Sequence, residues 1–295
     1  ASSAPSGLLP RSPSTGSNHD ASMGAFLSLK RPAATSAASG FRSTGRSSHP
    51  TGGPRLARAA RRPDDESPSG RASPRPMRIT TWNVNSLKVR LPQVVQWLEN
   101  NPVDVLCLQE TKMTDDKFPQ ADIEALGYHV VFTGQKTYNG VAILSRHPIT
   151  EVVKNNPLFE DEQQRLISAT INGMRVICAY VPNGQAVGTD KYAYKLRWLE
   201  ALTRWLESEL KQYPNLAILG DYNIAPADAD VHDPVAWKDQ VLCSDEERAA
   251  FQRLCALPLV DSFRMFPQPE KSFSWWDYRQ MAFRRNMGVR IDHVL

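Results

Sequence analysis

Asp221 and Asn223 stand two residues apart in the stretch L-A-I-L-G-D-Y-N-I-A-P, residues 216–226. A carboxylate and an amide at that spacing share one side of an extended chain. Together they can hold a water, a metal ion or a phosphate oxygen. The run before them, Leu216 to Leu219, is short and apolar and reads as a buried strand rather than a helix. Gly220 breaks the run and predicts a tight exit from the strand. A plain strand followed by an Asx-turn accounts for the same residues, so the rest of the chain has to decide between structure and chemistry.

The pattern recurs. Apolar strand-like runs end at Asn83, Glu110 and Tyr180 as well as at Asp221 with Asn223, and Asp292 lies within a final β-like run. Ligand sites in α/β proteins gather where strand ends converge. Two carboxylates, Glu110 and Asp221, accompanied by amides and a phenol suit a hard cation such as Mg²⁺ better than zinc. The chemistry implied is metal-assisted hydrolysis of a phosphoester.

The elements that must position these groups are legible in outline. Residues 78–82 predict a strand, and residues 89–99 an amphipathic helix with Pro92 in its first turn. Residues 103–108 predict a second buried strand, residues 120–126 a polar helix, and residues 129–133 and 140–145 two more strands. Residues 165–171 and 174–181 flank Asn172-Gly173, the strongest short hairpin signal. Residues 192–213 form a long helix with Leu196, Leu199, Leu202, Leu206 and Leu210 on one face. Ser244 opens a further helix, with Glu247 completing a capping box.

Composition narrows the class. The chain has 295 residues and is 41% hydrophobic, enough for a sizeable core. It has no apolar run of the roughly 18 residues that span a membrane. Residues 1–76 carry eleven Lys/Arg against four Asp/Glu, a net +7, whereas residues 77–295 carry twenty-four against twenty-seven, a net −3. The basic character therefore belongs to the Ser-, Ala-, Pro- and Arg-rich residues 1–76, which lack Trp, Tyr and apolar periodicity and are expected to be disordered. Met77 stands where the ordered pattern begins, so residues 1–76 read as sequence upstream of the true start, with a transit peptide as the alternative. Cys107, Cys178, Cys243 and Cys255 show no metal or C-x-x-C spacing. They are expected to be free thiols in a reducing, cytoplasmic setting.

Six motifs occur in order: W-N-V-N-S (82–86), L-Q-E-T-K (108–112), G-Q-K-T-Y-N-G-V-A-I-L (134–144), G-D-Y-N-I-A-P (220–226), S-W-W-D-Y-R (274–279) and R-I-D (290–292). Together they resemble bacterial exodeoxyribonuclease III, of the endonuclease/exonuclease/phosphatase superfamily, over essentially all of residues 77–295. The resemblance implies a deoxyribonuclease I-like, four-layer α/β sandwich, with two mostly antiparallel sheets face to face and helices outside. It implies a monomeric DNA-repair nuclease using Mg²⁺ or Mn²⁺. Its partner would be double-stranded DNA with abasic sites or blocked 3′ ends, and no membrane. By motif, Glu110 and Asn83 would serve the metal, and Asp221 and Asn223 would orient the attacking water and a phosphate oxygen. Tyr180 and Arg165 would contact phosphate, and Phe263 and Trp275 would wall a sugar that lacks its base. Asp292 would buttress a catalytic histidine. The family's S-D-H motif for that histidine does not occur in this chain; Asp292-His293 looks like a substitute but falls in the R-I-D motif, where the family's histidine does not lie. The catalytic domain at 77–295 is therefore expected to be truncated at its C-terminus and weakly active or inactive. Two alternatives stand beside the nuclease reading: a phosphatase of lipid or inositol phosphates, and a non-catalytic DNA-binding remnant.

Overall fold

The computed structural model describes residues 76–295 together with one two-residue strand, 26–27. The expectation of disorder for residues 1–76 otherwise lies outside the described residues. In chain order the strands are β1 (Phe26–Leu27), β2 (Ile79–Asn83), β3 (Val105–Gln109), β4 (His129–Thr133), β5 (Val141–Ser145) and β6 (Ile149–Lys154). They continue with β7 (Leu166–Ile171), β8 (Met174–Tyr180), β9 (Leu216–Asp221), β10 (Trp275–Trp276), β11 (Gly288–Val289) and β12 (Asp292–Val294). The helices are α1 (Leu87–Asn100), α2 (Gln120–Glu124), α3 (Asp190–Gln212), α4 (Pro234–Trp237) and α5 (Asp245–Ala256).

Two five-stranded sheets, ordered β1-β2-β3-β5-β4 and β12-β9-β8-β7-β6, lie face to face, and β10 and β11 form a small separate ribbon. In each five-stranded sheet every pairing is antiparallel except one, β2 with β3 in the first and β8 with β9 in the second. Helix α1 covers the outer face of the first sheet through Leu87, Val94 and Leu98, packed on Leu106, Leu108 and Leu144. Helices α3 and α5 cover the second sheet through Trp198, Leu202, Leu206 and Phe251, packed on Ile177, Ala179 and Ile218. The result is helix, sheet, sheet, helix, the expected four layers. The inner faces also carry polar contacts: Thr81 Oγ1 donates to Gln109 Oε1 at 3.1 Å, and Gln109 Nε2 donates to Cys178 Sγ at 3.2 Å.

The Asn172-Gly173 turn has both residues at positive φ, 49° and 73°, the conformation that joins β7 to β8 in two residues. Three sequence expectations need correction, and one strand was not anticipated. Helix α1 starts at Leu87, so Pro92 is inside the helix rather than in its first turn. The start is fixed early because Ser86 N and Leu87 N donate to the carbonyls of Glu110 and Thr111, at 2.7 and 3.1 Å. Gly220 does not end β9 but lies within it. A Cβ there would fall 1.8 Å from the carbonyl oxygen of Ala179, so the glycine permits close approach to β8. The chain does not stay extended to Asn223, which has φ 50°. Finally, β6 was not foreseen: it is an edge strand whose side chains are mostly exposed and whose pairing with β7 is irregular between Thr150 and Val153, so alternation is lost.

All four cysteines are free, and Cys107, Cys178 and Cys243 are buried. No helix among the described residues is long and apolar enough to cross a membrane.

Candidate active site

Parallel pairing brings equivalent ends together. Strands β2 and β3 run the same way and end side by side at Asn83 and Gln109, followed by Glu110. Strands β8 and β9 do the same and end at Tyr180 and Asp221, which are paired in register. Strand β12 runs antiparallel to β9, so its first residue, Asp292, is paired with Asp221. Because β2 faces β9 and β3 faces β8 across the sandwich, both sets of ends meet at one edge.

Asn83 joins the two sheets. Its Nδ2 donates to Glu110 Oε1 at 2.8 Å and to Asp221 Oδ2 at 2.9 Å, and its Oδ1 accepts from Asn85 N at 2.9 Å. Tyr180 OH donates to Glu110 Oε1 at 2.9 Å, and Lys112 Nζ sits 2.8 Å from Glu110 Oε2. Asp221 Oδ1 accepts from Asn223 N at 2.9 Å, which is an Asx-turn. Asn223 Oδ1 in turn accepts from Asn183 Nδ2, and Asn223 Nδ2 donates to Val181 O, each at 3.0 Å. Several of these residues sit in the left-handed backbone region: Asn85, Ser86, Glu110, Lys112 and Asn223 all have positive φ. Non-glycine residues held there carry strain that clusters at functional sites.

The electrostatics separate the three carboxyls. Burial pushes Glu110 up, but hydrogen bonds from Asn83 and Lys112, with the charge of Lys112, outweigh it, so it sits below its ordinary value. Asp221 is pushed up to about 7 by burial and by the charge of Glu110, against hydrogen bonds from Asn83 and Asn223. Asp292 is pushed well above the carboxylate range by burial and by Asp221, with Ser274 opposing. Burial, with Glu110 and Asp221 beside it, raises the Tyr180 phenol, so it remains a neutral donor. Burial is the larger cause for Asp221 and Asp292, and the neighbouring carboxyls add to it.

The proximity of these carboxyls bears on a metal. No trio of His, Cys, Asp or Glu side chains converges as a ready-made ligand set among the described residues. Mg²⁺ needs only one or two protein carboxylates and takes its remaining ligands from water and phosphate. The donors here are all oxygen or amide, and the crowded carboxyls would be relieved by a divalent cation. The residues present fit a hard cation and would not suit zinc.

Arg165 adjoins the group. Its Nη1 donates to Tyr180 O at 3.3 Å and its guanidinium lies 4.8 Å from the centre of the Tyr180 ring. It also lines a cleft of about 650 Å³ with Tyr138, Gln163, Asn183 and Lys191. Trp275 packs on a small cluster that includes Ala225, Val289 and Ile291, one residue from Ser274, whose Oγ accepts from Asp292 N at 3.0 Å. Phe263 is placed differently: the guanidinium groups of Arg290 and Arg264 lie 4.7 and 5.3 Å from its ring centre. His293 does not stand in for a histidine at Asp292. It is buried on the other side of β12, where Nε2 lies 2.8 Å from Ile224 O and Nδ1 faces Arg290 Nη1 at 3.0 Å. A guanidinium only donates, so Nδ1 accepts and Nε2 carries the proton. Burial and Arg290 lower the imidazole to about 3, so it is a neutral core group.

Several contributors were not singled out from sequence. Lys112 and Asn183 lie in strand-end turns, Q-E-T-K and V-P-N-G, where the pattern already pointed. Lys195 is fully buried behind Asn183 and Asn223, and its signal was a lysine on the apolar stripe of α3 between Tyr192 and Trp198.

Comparison with known proteins agrees with this geometry. A profile of the endonuclease/exonuclease/phosphatase family matches residues 80–295. The chain is 37% identical over 232 residues to exodeoxyribonuclease III of Haemophilus influenzae, covering 74% of this chain and 87% of that one. It is 34% identical over 225 residues to an exodeoxyribonuclease of Bacillus subtilis, with 74% and 87% covered. Among solved structures it resembles a 3′ phosphatase from Neisseria bound to a product DNA hairpin, at 49% identity and TM-score 0.71, covering 73% of this chain and 84% of that one. It also resembles an AP endonuclease from Archaeoglobus fulgidus, at 40% identity and TM-score 0.71, covering 73% and 84%.

Proposed function

The chain belongs to the exonuclease III / AP endonuclease family of DNA-repair nucleases, and from that premise we propose that it hydrolyses the phosphodiester bond 5′ of abasic sites in duplex DNA. We further propose that it trims nucleotides and blocking phosphates from DNA 3′ ends and that it uses Mg²⁺ or Mn²⁺. The observation that carries this is the Glu110–Asn83–Asp221 bridge, which ties the strand ends of two sheets into one site.

Asp221 at about 7 is suited to accept a proton from water at neutral pH, since a general base works best near the working pH. Asn83 holds one of its carboxylate oxygens and the Asn223 amide holds the other, so the base has a fixed orientation. Tyr180 stays protonated and can turn its single proton from Glu110 to a phosphate oxygen, and Arg165, stacked on it, can take a second. Glu110, with Asn83, would hold the divalent cation, which when bound supplies charge for the phosphate and the departing oxygen. Trp275, with Val289 and Ile291, offers an apolar surface for a sugar without its base. Taking a nucleotide out of the stack costs least at a damaged site, so such a surface favours the abasic position.

The test uses the full chain on four substrates: an abasic duplex, an intact duplex, a duplex with a 3′-phosphate, and a soluble phosphoinositide. The expected result is chelator-sensitive nicking at the abasic site and release of the 3′-phosphate. Phosphoinositide hydrolysis without DNA cleavage would replace this reading with a lipid or inositol phosphatase. Binding of abasic DNA without cleavage would replace it with a non-catalytic DNA-binding protein.

A further inference from the structure

Behind the candidate site lies a charge that the proposed reaction does not use. Lys195, on the buried face of α3, is 0% exposed, and its ion-pair partner Glu247, on α5, is also 0% exposed. An aliphatic residue would fit the apolar stripe of α3 without the cost of burying two ions. The lysine Nζ donates to the carbonyl oxygens of Asn223 at 2.6 Å and Asn183 at 3.1 Å, as well as to Glu247 Oε1. Those two carbonyls belong to the residues whose side-chain amides meet each other at 3.0 Å. Asn223 in turn donates its amide N–H to Asp221. One ammonium therefore ties the β8–α3 turn to the turn that leaves β9.

Glu247 is held as firmly. Its Oε1 also accepts from Leu242 N, and its Oε2 accepts from Ser244 N and Ser244 Oγ. The capping box of α5 thus does more than start a helix: it fixes the carboxylate that fixes the lysine. Leu242 O in turn accepts from Ala225 N at 2.8 Å, so the far end of the 221–225 turn is pinned to the same support. The Asn223 backbone is in the left-handed region, φ 50°, and needs an external anchor to stay there.

We infer that Lys195, held by Glu247, is a positioning residue that locks the Asn183 and Asn223 turns and so fixes the orientation of Asp221. It touches no substrate and acts only through these two turns. Its activity arm rests on the nuclease reading proposed above; its structural arm does not.

Lys195→Met alone would leave Glu247 buried and uncompensated and could simply unfold the chain. The decisive variant is therefore Lys195→Met/Glu247→Gln, which removes both charges and keeps one acceptor oxygen for the Ser244 side of the capping box. Stability should return close to wild type. Two readouts then judge the inference. Hydrogen exchange at the amides of Asn223 and Gln185, which report the two turns, should speed up by about tenfold or more while amides in β3 keep their rates. On abasic duplex, kcat per folded molecule should fall by about tenfold to a hundredfold with KM within about twofold, because misplacement of a held group costs turnover rather than binding. Unchanged exchange in the double variant overturns the inference, as does a kcat that recovers together with stability. A wild-type chain that cleaves no DNA refutes the nuclease reading alone, and the exchange readout still decides the role of Lys195.

Discussion

Asp221→Asn should stabilise the folded chain, and by an amount that grows with pH. Asp221 is 4% exposed, and its carboxyl is pushed to about 7 from an ordinary value of 3.8. The unfolded chain therefore ionises this group near 3.8 and the folded chain near 7. Between those values the folded state binds the extra proton, so stability falls as pH rises through the window and levels off above it. At pH 8, where the folded group is ionised, its burial costs ~4 kcal/mol; at pH 5, where it is protonated in the fold and ionised in the unfolded chain, the cost is only ~2 kcal/mol. Asparagine removes that cost at both pH values. It keeps one acceptor oxygen but turns an amide toward Asn83 Nδ2, losing a hydrogen bond worth ~1 kcal/mol. The net gain is then ~1 kcal/mol at pH 5 and ~3 kcal/mol at pH 8, the latter roughly 6–12 °C in Tm for a domain of this size. The assay is thermal or urea unfolding of both proteins in chelator at pH 5, 6.5 and 8. Millimolar Mg²⁺ should narrow the pH 8 gap by stabilising the wild type, since a cation offsets the crowded carboxylates. A stability difference that is the same at pH 5 and pH 8 would refute the reasoning, because it would mean Asp221 is charged in the fold throughout.

Three further outcomes are expected. Glu110→Gln keeps the shape that Asn83 and Tyr180 bind but removes the charge, so Mg²⁺ affinity and cleavage should both fall; normal cleavage at limiting Mg²⁺ would remove Glu110 from the site. Trp275→Ala should narrow the discrimination between abasic and intact duplex by ~1–3 kcal/mol, measured as the ratio of their kcat/KM values, whereas equal loss on both substrates would make the ring merely structural. Gly220→Ala places a methyl 1.8 Å from the Ala179 carbonyl oxygen, forcing β9 away from β8. Denaturant unfolding should show a loss of several kcal/mol, on the order of 3, and cleavage should fall further than stability alone explains.

The sandwich arrangement came only from the resemblance to exodeoxyribonuclease III; most of its strands were legible as short apolar runs punctuated by turn residues, and the β7–β8 hairpin was legible from Asn172-Gly173 alone. The edge strand β6 was not, since its side chains face solvent and its pairing with β7 is irregular. At the site, the residue types at strand ends were visible as a pattern. Their mutual distances depended on which strands run parallel, and only pairing in space supplies that. Gly220 shows the limit most clearly. From sequence it reads as a stop; in the fold it is the point where two strands approach too closely for any side chain. Lys195 and Glu247 were unreadable for another reason. A lysine on a helix and a glutamate in a capping box each have ordinary local explanations, and only burial of both reveals that they are partners.

The same architecture explains why carboxyls gather at this site although their charged forms are costly there. Each sheet contributes one parallel pair, and parallel strands end together, so four polar strand ends are delivered to one edge whether or not they suit each other. Antiparallel β12 then adds Asp292 directly beside Asp221, two carboxyls in register. Left alone, that arrangement drives both toward their neutral forms. Asn83 reaches across from the first sheet and donates to both Glu110 and Asp221. Replacing it with aspartate would put a fourth carboxylate among three, whereas an amide supplies two donors and no charge. The sandwich thus concentrates negative potential at one edge and moderates it with neutral donors rather than with lysines packed among the carboxyls, Lys112 excepted. An edge so balanced remains receptive to a cation and to the phosphate it brings, and a site filled with lysines would not.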